Sequence, residues 1–177
     1  MAPALAGVGV LITRPAIPAA SLATRIEALG GTPVLFPAIE MAAPEDRDEL
    51  DARVARLLEF DLIVFVSPSA VERALPMFDA VHPGWSATAQ IAAVGQGTLH
   101  ALQRHGLARV MAPAREAGAA GLLNLPELLA LAPRHVLIVR GAGGRDDLAA
   151  GLGARGAEVE YAECYRRIRP DTDPGLL

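Results

Sequence analysis

Short apolar, often β-branched runs alternate with amphipathic stretches along the whole chain, and this constrains the fold more than any other feature. DLIVFV (61–66) and HVLIV (135–139) are apolar on both strand faces, a pattern that suits a sheet covered by helices on both sides. Further strands are predicted over 7–13, 33–39, 91–94, 109–112 and 158–162. Between them, apolar positions at helical spacing predict helices over 21–29, 45–60, 68–78, 97–104, 121–131 and 146–154. Ser67-Pro68 reads as an N-cap followed by proline at the first helical position. Gly30-Gly31, Gly106 and Gly156 read as helix stops. Strand and helix in strict alternation specify an α/β chain with a parallel sheet.

Composition excludes several classes. The chain is 52% apolar but has only four Phe, one Trp and two Tyr, so its core is built from Ala, Val, Leu and Ile. Sixteen basic against twenty acidic residues leave a charge of −4, which fits neither a disordered chain nor a general nucleic-acid binder with a basic footprint. Cys164 is the one cysteine, which excludes a disulfide framework and a multi-thiolate metal site. No apolar run reaches the ~18 residues of a membrane helix. MAPALAG lacks the basic start and apolar stretch of a secretion signal. The expectation is a cytoplasmic protein.

Two stretches repeat. VLITRP, a helix and EALGGTPVLFPAIE match VLIVRG, a helix and GARGAEVEYAECYR, with Arg14 aligned to Arg140 and Gly31 to Gly156. Any two βαβ units share some of this pattern. Read as a duplication, it predicts that DLIVFVSPSAV recurs near position 186, whereas the sequence runs to Leu177. The expected organisation is two flavodoxin-like doubly wound domains, the first incomplete in this chain. Residues 1–40 would open domain 1, 41–165 would form a complete domain 2, and 166–177 would lead back, with Pro44, Pro170 and Pro174 in the linkers. Either roughly 70 to 80 residues of domain 1 lie outside this sequence, or its opening unit docks as a fragment.

Taken in order, VLITRP (10–15), DLIVFVSPSAV (61–71), AAVGQGTLHAL (92–102), AAGLLNLPELL (119–129) and the stretch from VLIVRG to YAECYRR (136–167) resemble the uroporphyrinogen-III synthase family. The sequence departs from the family where it stops, and at Leu99, which follows Thr98 in place of the usual alanine. The resemblance implies a lyase that cyclises hydroxymethylbilane, a linear tetrapyrrole, to uroporphyrinogen III. Water is lost and the last ring is inverted through a spiro intermediate. It also implies two flavodoxin-like domains with substrate between them, no metal or organic cofactor, a monomer, and the upstream hydroxymethylbilane synthase as a candidate partner.

Such a substrate carries eight carboxylates, so an acidic protein needs local anion-binding groups. Helix N-termini and glycine-rich turns after strands offer them: Arg14, Ser67 and Ser69, Gly95, Gly97 and Thr98, and Arg140, Gly141, Gly144 and Arg145. The arginines suit bidentate carboxylate pairing. Tyr165 holds the position of a tyrosine that the family carries at the end of this strand, and a phenol protonated at neutral pH can donate to a leaving hydroxyl.

Plainer readings stand beside these. Arg14 also reads as a residue that only solvates a turn, Ser67 as one that only caps a helix, and Tyr165 as one that only packs. Cys164 reads as packing, Trp85 as a cover for an edge or cleft, and 45–49 (EDRDE) as an acidic helix start. His82, His100, His105 and His135 have no ligand-like spacing. Gly141-Ala142-Gly143-Gly144 is not G-x-G-x-x-G, although Glu163 lies at a distance that keeps nucleotide binding in view. A non-catalytic ligand-binding or regulatory module of the same fold is the alternative to the enzyme.

Overall fold

Strand β1 (Gly9–Ile12), helix α1 (Ala16–Ala28) and strand β2 (Thr32–Leu35) form a parallel βαβ unit with Gly9 opposite Thr32 and Ile12 opposite Leu35. The structure is a computed structural model and describes residues 3–131 and 134–171; the 172–177 part of the expected linker, with Pro174, lies outside them. The chain divides into two compact units, Met1–Ala42 with Arg167–Leu177, and Ala43–Arg166.

In the smaller unit Ile12, Ala19 and Ile26 make the buried contact between strand and helix. Helix α1 starts at Ala16 rather than at Ser21, because Pro18 falls in the first turn, where a missing N–H leaves no helical bond unmade. Gly30 ends it at φ +81°, its N–H on the Glu27 carbonyl at 2.8 Å, with the Gly31 N–H on Ile26 at 3.0 Å, the glycine stop the sequence predicts. Leu11 and Leu35, at 47% and 54% exposure, leave apolar side chains of the two-stranded sheet in solvent.

The second sheet contains β3 (Glu40–Ala42), β4 (Leu62–Phe65), β5 (Gln90–Ala93), β6 (His135–Gly141) and β7 (Glu158–Ile168), in the order β3-β7-β6-β4-β5. β4 pairs parallel with β5 and with β6, and β6 pairs parallel with β7. Every residue of β4 is buried, as the doubly apolar run predicts. Leu62, Val64, Val136 and Ile138 pack with Leu122, Leu128, Leu148 and Leu152, which come from α5 (Ala119–Leu123), α6 (Pro126–Leu131) and α7 (Asp147–Gly153). Helix α3 (Pro68–Val81) buries Val71, Ala74, Leu75 and Phe78. Phe78 meets Trp85 edge-on with ring centroids 5.3 Å apart, and Phe65 lies 6.1 Å from Phe78. Trp85 is therefore a core residue, anchored by its Nε1–H to Asp79 at 2.9 Å.

Helix α2 (Arg47–Ala55) is capped by Asp46, whose carboxylate accepts the Glu49 N–H at 2.7 Å. Helix α4 (Gln96–Arg104) follows β5. The predicted 45–60 helix ends at Ala55, with a separate 3-10 turn over Leu57–Glu59, and two further segments differ from expectation. The 109–112 segment joins the sheet only through the Ala92–Met111 bridge. The 121–131 helix is two helices, because Pro126 has no N–H to give and disfavours helical geometry at Leu125. The result is an α/β chain with parallel sheets. Among the described residues no helix is long and apolar enough to cross a membrane.

Candidate functional site

A parallel sheet puts the carboxyl ends of its strands along one edge, the edge at which open α/β sheets take ligands. In the larger unit Ser67 follows β4, Gly95 follows β5 and Gly141 ends β6. Ser67 caps α3, with its Oγ accepting the Ala70 N–H at 3.1 Å. Gly95 caps α4 with no side chain, and its carbonyl accepts the Thr98 N–H at 3.1 Å. A Cβ on Gly97 would stand 3.8 Å from the Pro68 Cγ, so the first turns of α3 and α4 adjoin. Ser69 is half-buried and Thr98 buried, while Gly97 is open to solvent.

Tyr165 closes this group. Its hydroxyl lies 3.2 Å from the Ser67 Oγ, and its ring covers Gly141, where a Cβ would stand 2.5 Å from the ring Cζ. The Arg73 guanidinium lies 5.9 Å from the ring centre. Tyr165 is 1% exposed, a packed side chain whose hydroxyl meets that of Ser67. The neighbouring Cys164 points its Sγ at the Arg140 carbonyl at 3.3 Å. Burial pushes this thiol up to about 12, and an un-ionised thiol is neither nucleophile nor metal ligand at neutral pH.

Arg140 is placed differently from what an exposed anion ligand requires. Its side chain is 11% exposed and pairs with Asp146 at 2.8 Å and Glu163 at 2.9 Å, and its guanidinium lies 3.6 Å from the centre of the Tyr161 ring. Tyr161 donates its hydroxyl hydrogen to Asp146 at 2.8 Å. Gly144 gives Arg140 a carbonyl at 3.4 Å. Arg145 is exposed and paired with Asp147. Arg14, in the smaller unit, is exposed two residues after β1 ends.

Sequence reasoning missed the partners of Arg140. The strand register pairs Arg140 with Glu163, but a separation of 23 residues gives no local signal. It also missed a cavity of about 340 Å3 lined by Glu45, Asp46, Glu49 and Glu163. Its carboxylates disfavour an anion there. Among the described residues no three His, Cys, Asp or Glu side chains are grouped to hold a metal ion.

Comparison with known proteins agrees in direction. The model of the family described as uroporphyrinogen-III synthase HemD matches residues 20–177. The chain is 37% identical over 164 residues to the uroporphyrinogen-III synthase of Salmonella typhimurium, covering 93% of this chain and 67% of that protein. It is 34% identical over 158 residues to that of Escherichia coli, covering 89% and 64%. Its fold is similar to a uroporphyrinogen III synthase crystal structure from Thermus thermophilus, with a TM-score of 0.66 at 23% identity over 96% of this chain and 65% of that one. The chain thus spans about two thirds of the length of the relatives it matches.

Proposed function

The chain belongs to the uroporphyrinogen-III synthase family, and from that premise we propose that it serves the lyase reaction that closes hydroxymethylbilane to uroporphyrinogen III. The observation that carries this reading is 37% identity running through 93% of the chain. The substrate's terminal carbon loses hydroxide, assisted by the lone pair of its pyrrole nitrogen; with a proton the hydroxide leaves as water. Tyr165 is the proposed donor of that proton, beside Ser67. The substituted α-carbon of the last ring then attacks the activated carbon on the first ring to give the spiro intermediate. The bond from that α-carbon to the methylene of the third ring breaks, and the free α-carbon of the last ring bonds to that methylene and loses its proton, which leaves the last ring inverted. Positioning a flexible chain so that its two ends meet supplies the larger part of the catalysis. The proposed contacts to the eight carboxylates are the main-chain groups of Ser67, Ser69, Gly95, Gly97, Thr98, Gly141 and Gly144, with the guanidinium groups of Arg14 and Arg145. The reaction in this reading uses no metal or organic cofactor. The enzyme is a monomer, and hydroxymethylbilane synthase delivers the substrate.

The same reading holds that the chain contains one flavodoxin-like domain and the start of another. Strand order supports it. Counted from β6, the order β7-β6-β4-β5, with Met111 bridged to β5, becomes 2-1-3-4-5, the flavodoxin order. The smaller unit's β1-α1-β2 then corresponds to β6-α7-β7, the first two strands of that order.

The test is to supply freshly made hydroxymethylbilane and separate the isomers after oxidation. The expected product is type III. Type I alone, the spontaneous product, would refute the reading.

A further inference from the structure

We infer that Arg140 is a positioning residue, which shapes the 141–146 loop from inside and does not itself take a ligand carboxylate. The inference rests on the reading above only for what the loop binds. Arg140 leaves β6 at the point where the strand ends, and its guanidinium spans two elements. One edge meets Glu163 on β7, with Nε at 3.0 Å and Nη2 at 2.9 Å. The Nη1 meets Asp146 at 2.8 Å, the residue that precedes α7. The same Nη1 lies 3.4 Å from the Gly144 carbonyl and 3.5 Å from that of Arg145. The guanidinium lies 3.6 Å from the Tyr161 ring centre, within the range of a cation–π contact.

The loop is built around this side chain. A Cβ on Gly144 would stand 3.3 Å from the Arg140 Cδ, so the loop closes tightly over the arginine stem because residue 144 is glycine. Gly143 takes a left-handed φ of +70°, which glycine adopts without strain. At the loop's start, the Ala142 N–H donates to the Tyr165 carbonyl at 2.8 Å. Glu163 and Asp146 already oppose Arg140, so adding a ligand carboxylate would first require removing one of them. A partly buried charge that loses its partner is costly. Asp146 and Arg140 thus act as one clamp across the loop, and only Arg145 of the two arginines faces solvent, with 89% of its side chain exposed.

Amide hydrogen exchange on the chain tests the clamp without any ligand. In Arg140→Met, which keeps an apolar stem, and in Asp146→Asn, amides of Ala142, Gly143 and Gly144 are expected to exchange at least about tenfold faster. Those of β4 and of Val136 to Ile138 should not change. Unchanged loop exchange in Asp146→Asn, a largely exposed substitution that leaves the core intact, overturns the inference. Binding is then measured with uroporphyrin III, a stable octacarboxylate, in a double-mutant cycle at high salt. The clamp predicts that each single variant weakens binding and that the double variant is no weaker than the worse single one. Weakening by Arg140→Met together with unchanged or tighter binding by Asp146→Asn would show direct contact by Arg140 and overturn the inference. If the parent chain does not bind uroporphyrin III, the proposed ligand fails, and loop exchange still decides the role of Arg140.

Discussion

Gly141→Ala is expected to destabilise the larger unit through one contact. The added Cβ would stand 2.5 Å from the Tyr165 Cζ and 3.0 Å from its Cδ2, against the roughly 3.5–4.0 Å at which carbon atoms attract best. The ring has little room to retreat, since Tyr165 is 1% exposed and its hydroxyl is held near Ser67. Gly141 is not among the positive-φ glycines, so alanine fits the backbone and the cost is steric. Overpacking of this kind costs about 1–3 kcal/mol. The single tryptophan, Trp85, is buried in the larger unit beside Phe65 and Phe78, so its fluorescence in urea reports that unit's unfolding. A loss of about 2 kcal/mol at an m-value of about 2 kcal/mol/M lowers the midpoint by about 1 M. Tyr165→Leu costs stability alone but vacates the space, so adding Gly141→Ala in that background should change stability by less than about 0.5 kcal/mol. Equal losses in both backgrounds, or no loss from Gly141→Ala, would refute the packing argument.

Tyr165→Phe should cost about 0.5–1.5 kcal/mol in the same unfolding assay, one neutral hydrogen bond, and lower turnover of hydroxymethylbilane by about 10²-fold; unchanged turnover would leave Tyr165 a packing residue only. Burial pushes the Cys164 thiol from 9.0 to about 12. The unfolded thiol therefore loses its proton first as pH rises, and stability should decline above about pH 9. Cys164→Ala should flatten that alkaline slope, measured by urea midpoints, and an unaltered slope would place its origin elsewhere. The Asp61 carboxylate accepts the Arg134 and His135 main-chain N–H groups at 2.9 Å each, and these bonds hold its pKa below the ordinary 3.8. The folded state then binds fewer protons. Its extra stability is present above the ordinary value and is lost as pH falls through the folded one. Asp61→Asn should lower stability at neutral pH and weaken the acid dependence; an acid limb as steep as the parent's would remove Asp61 as a contributor.

Elements whose signals are local were legible in the sequence. Ser67-Pro68 names the start of α3, and Gly30 the end of α1, because a cap or a left-handed residue acts within one turn. Where a neighbour in space decides, the sequence is silent. Met111 lies in a segment, 109–112, that reads as strand, yet only one bridge forms there. Trp85 sits in a polar-looking HPGWS loop, but Phe65 and Phe78 draw it into the core. Arg140 at a strand end reads as a ligand group, and nothing in its own segment shows that Glu163 stands opposite it. The repeat aligns Arg14 with Arg140, yet Arg14 is exposed whereas Arg140 is enclosed by Asp146 and Glu163, so aligned positions do not share their surroundings.

One irregularity ties the site to the sheet. β6 and β7 pair in step from His135–Glu158 to Arg140–Glu163, and then Gly141 pairs with Tyr165, with one residue of β7 passed over. In an unbroken ladder successive side chains alternate between faces, so Glu163 and Tyr165 would share one face and Cys164 would take the other. The extra residue changes this. Glu163 turns to Arg140 and the α7 end, whereas Cys164 and Tyr165 both turn to α3, reaching the Ala70 carbonyl at 3.8 Å and the Ser67 hydroxyl at 3.2 Å. A bulge re-aims side chains in this way at a modest cost in pairing. Glycine at 141 then matters doubly, since it ends β6 at the irregularity and leaves the space that the redirected ring fills. The two features that set Tyr165 beside Ser67 are thus a one-residue slip and a missing Cβ, neither of which is a chemical group in its own right.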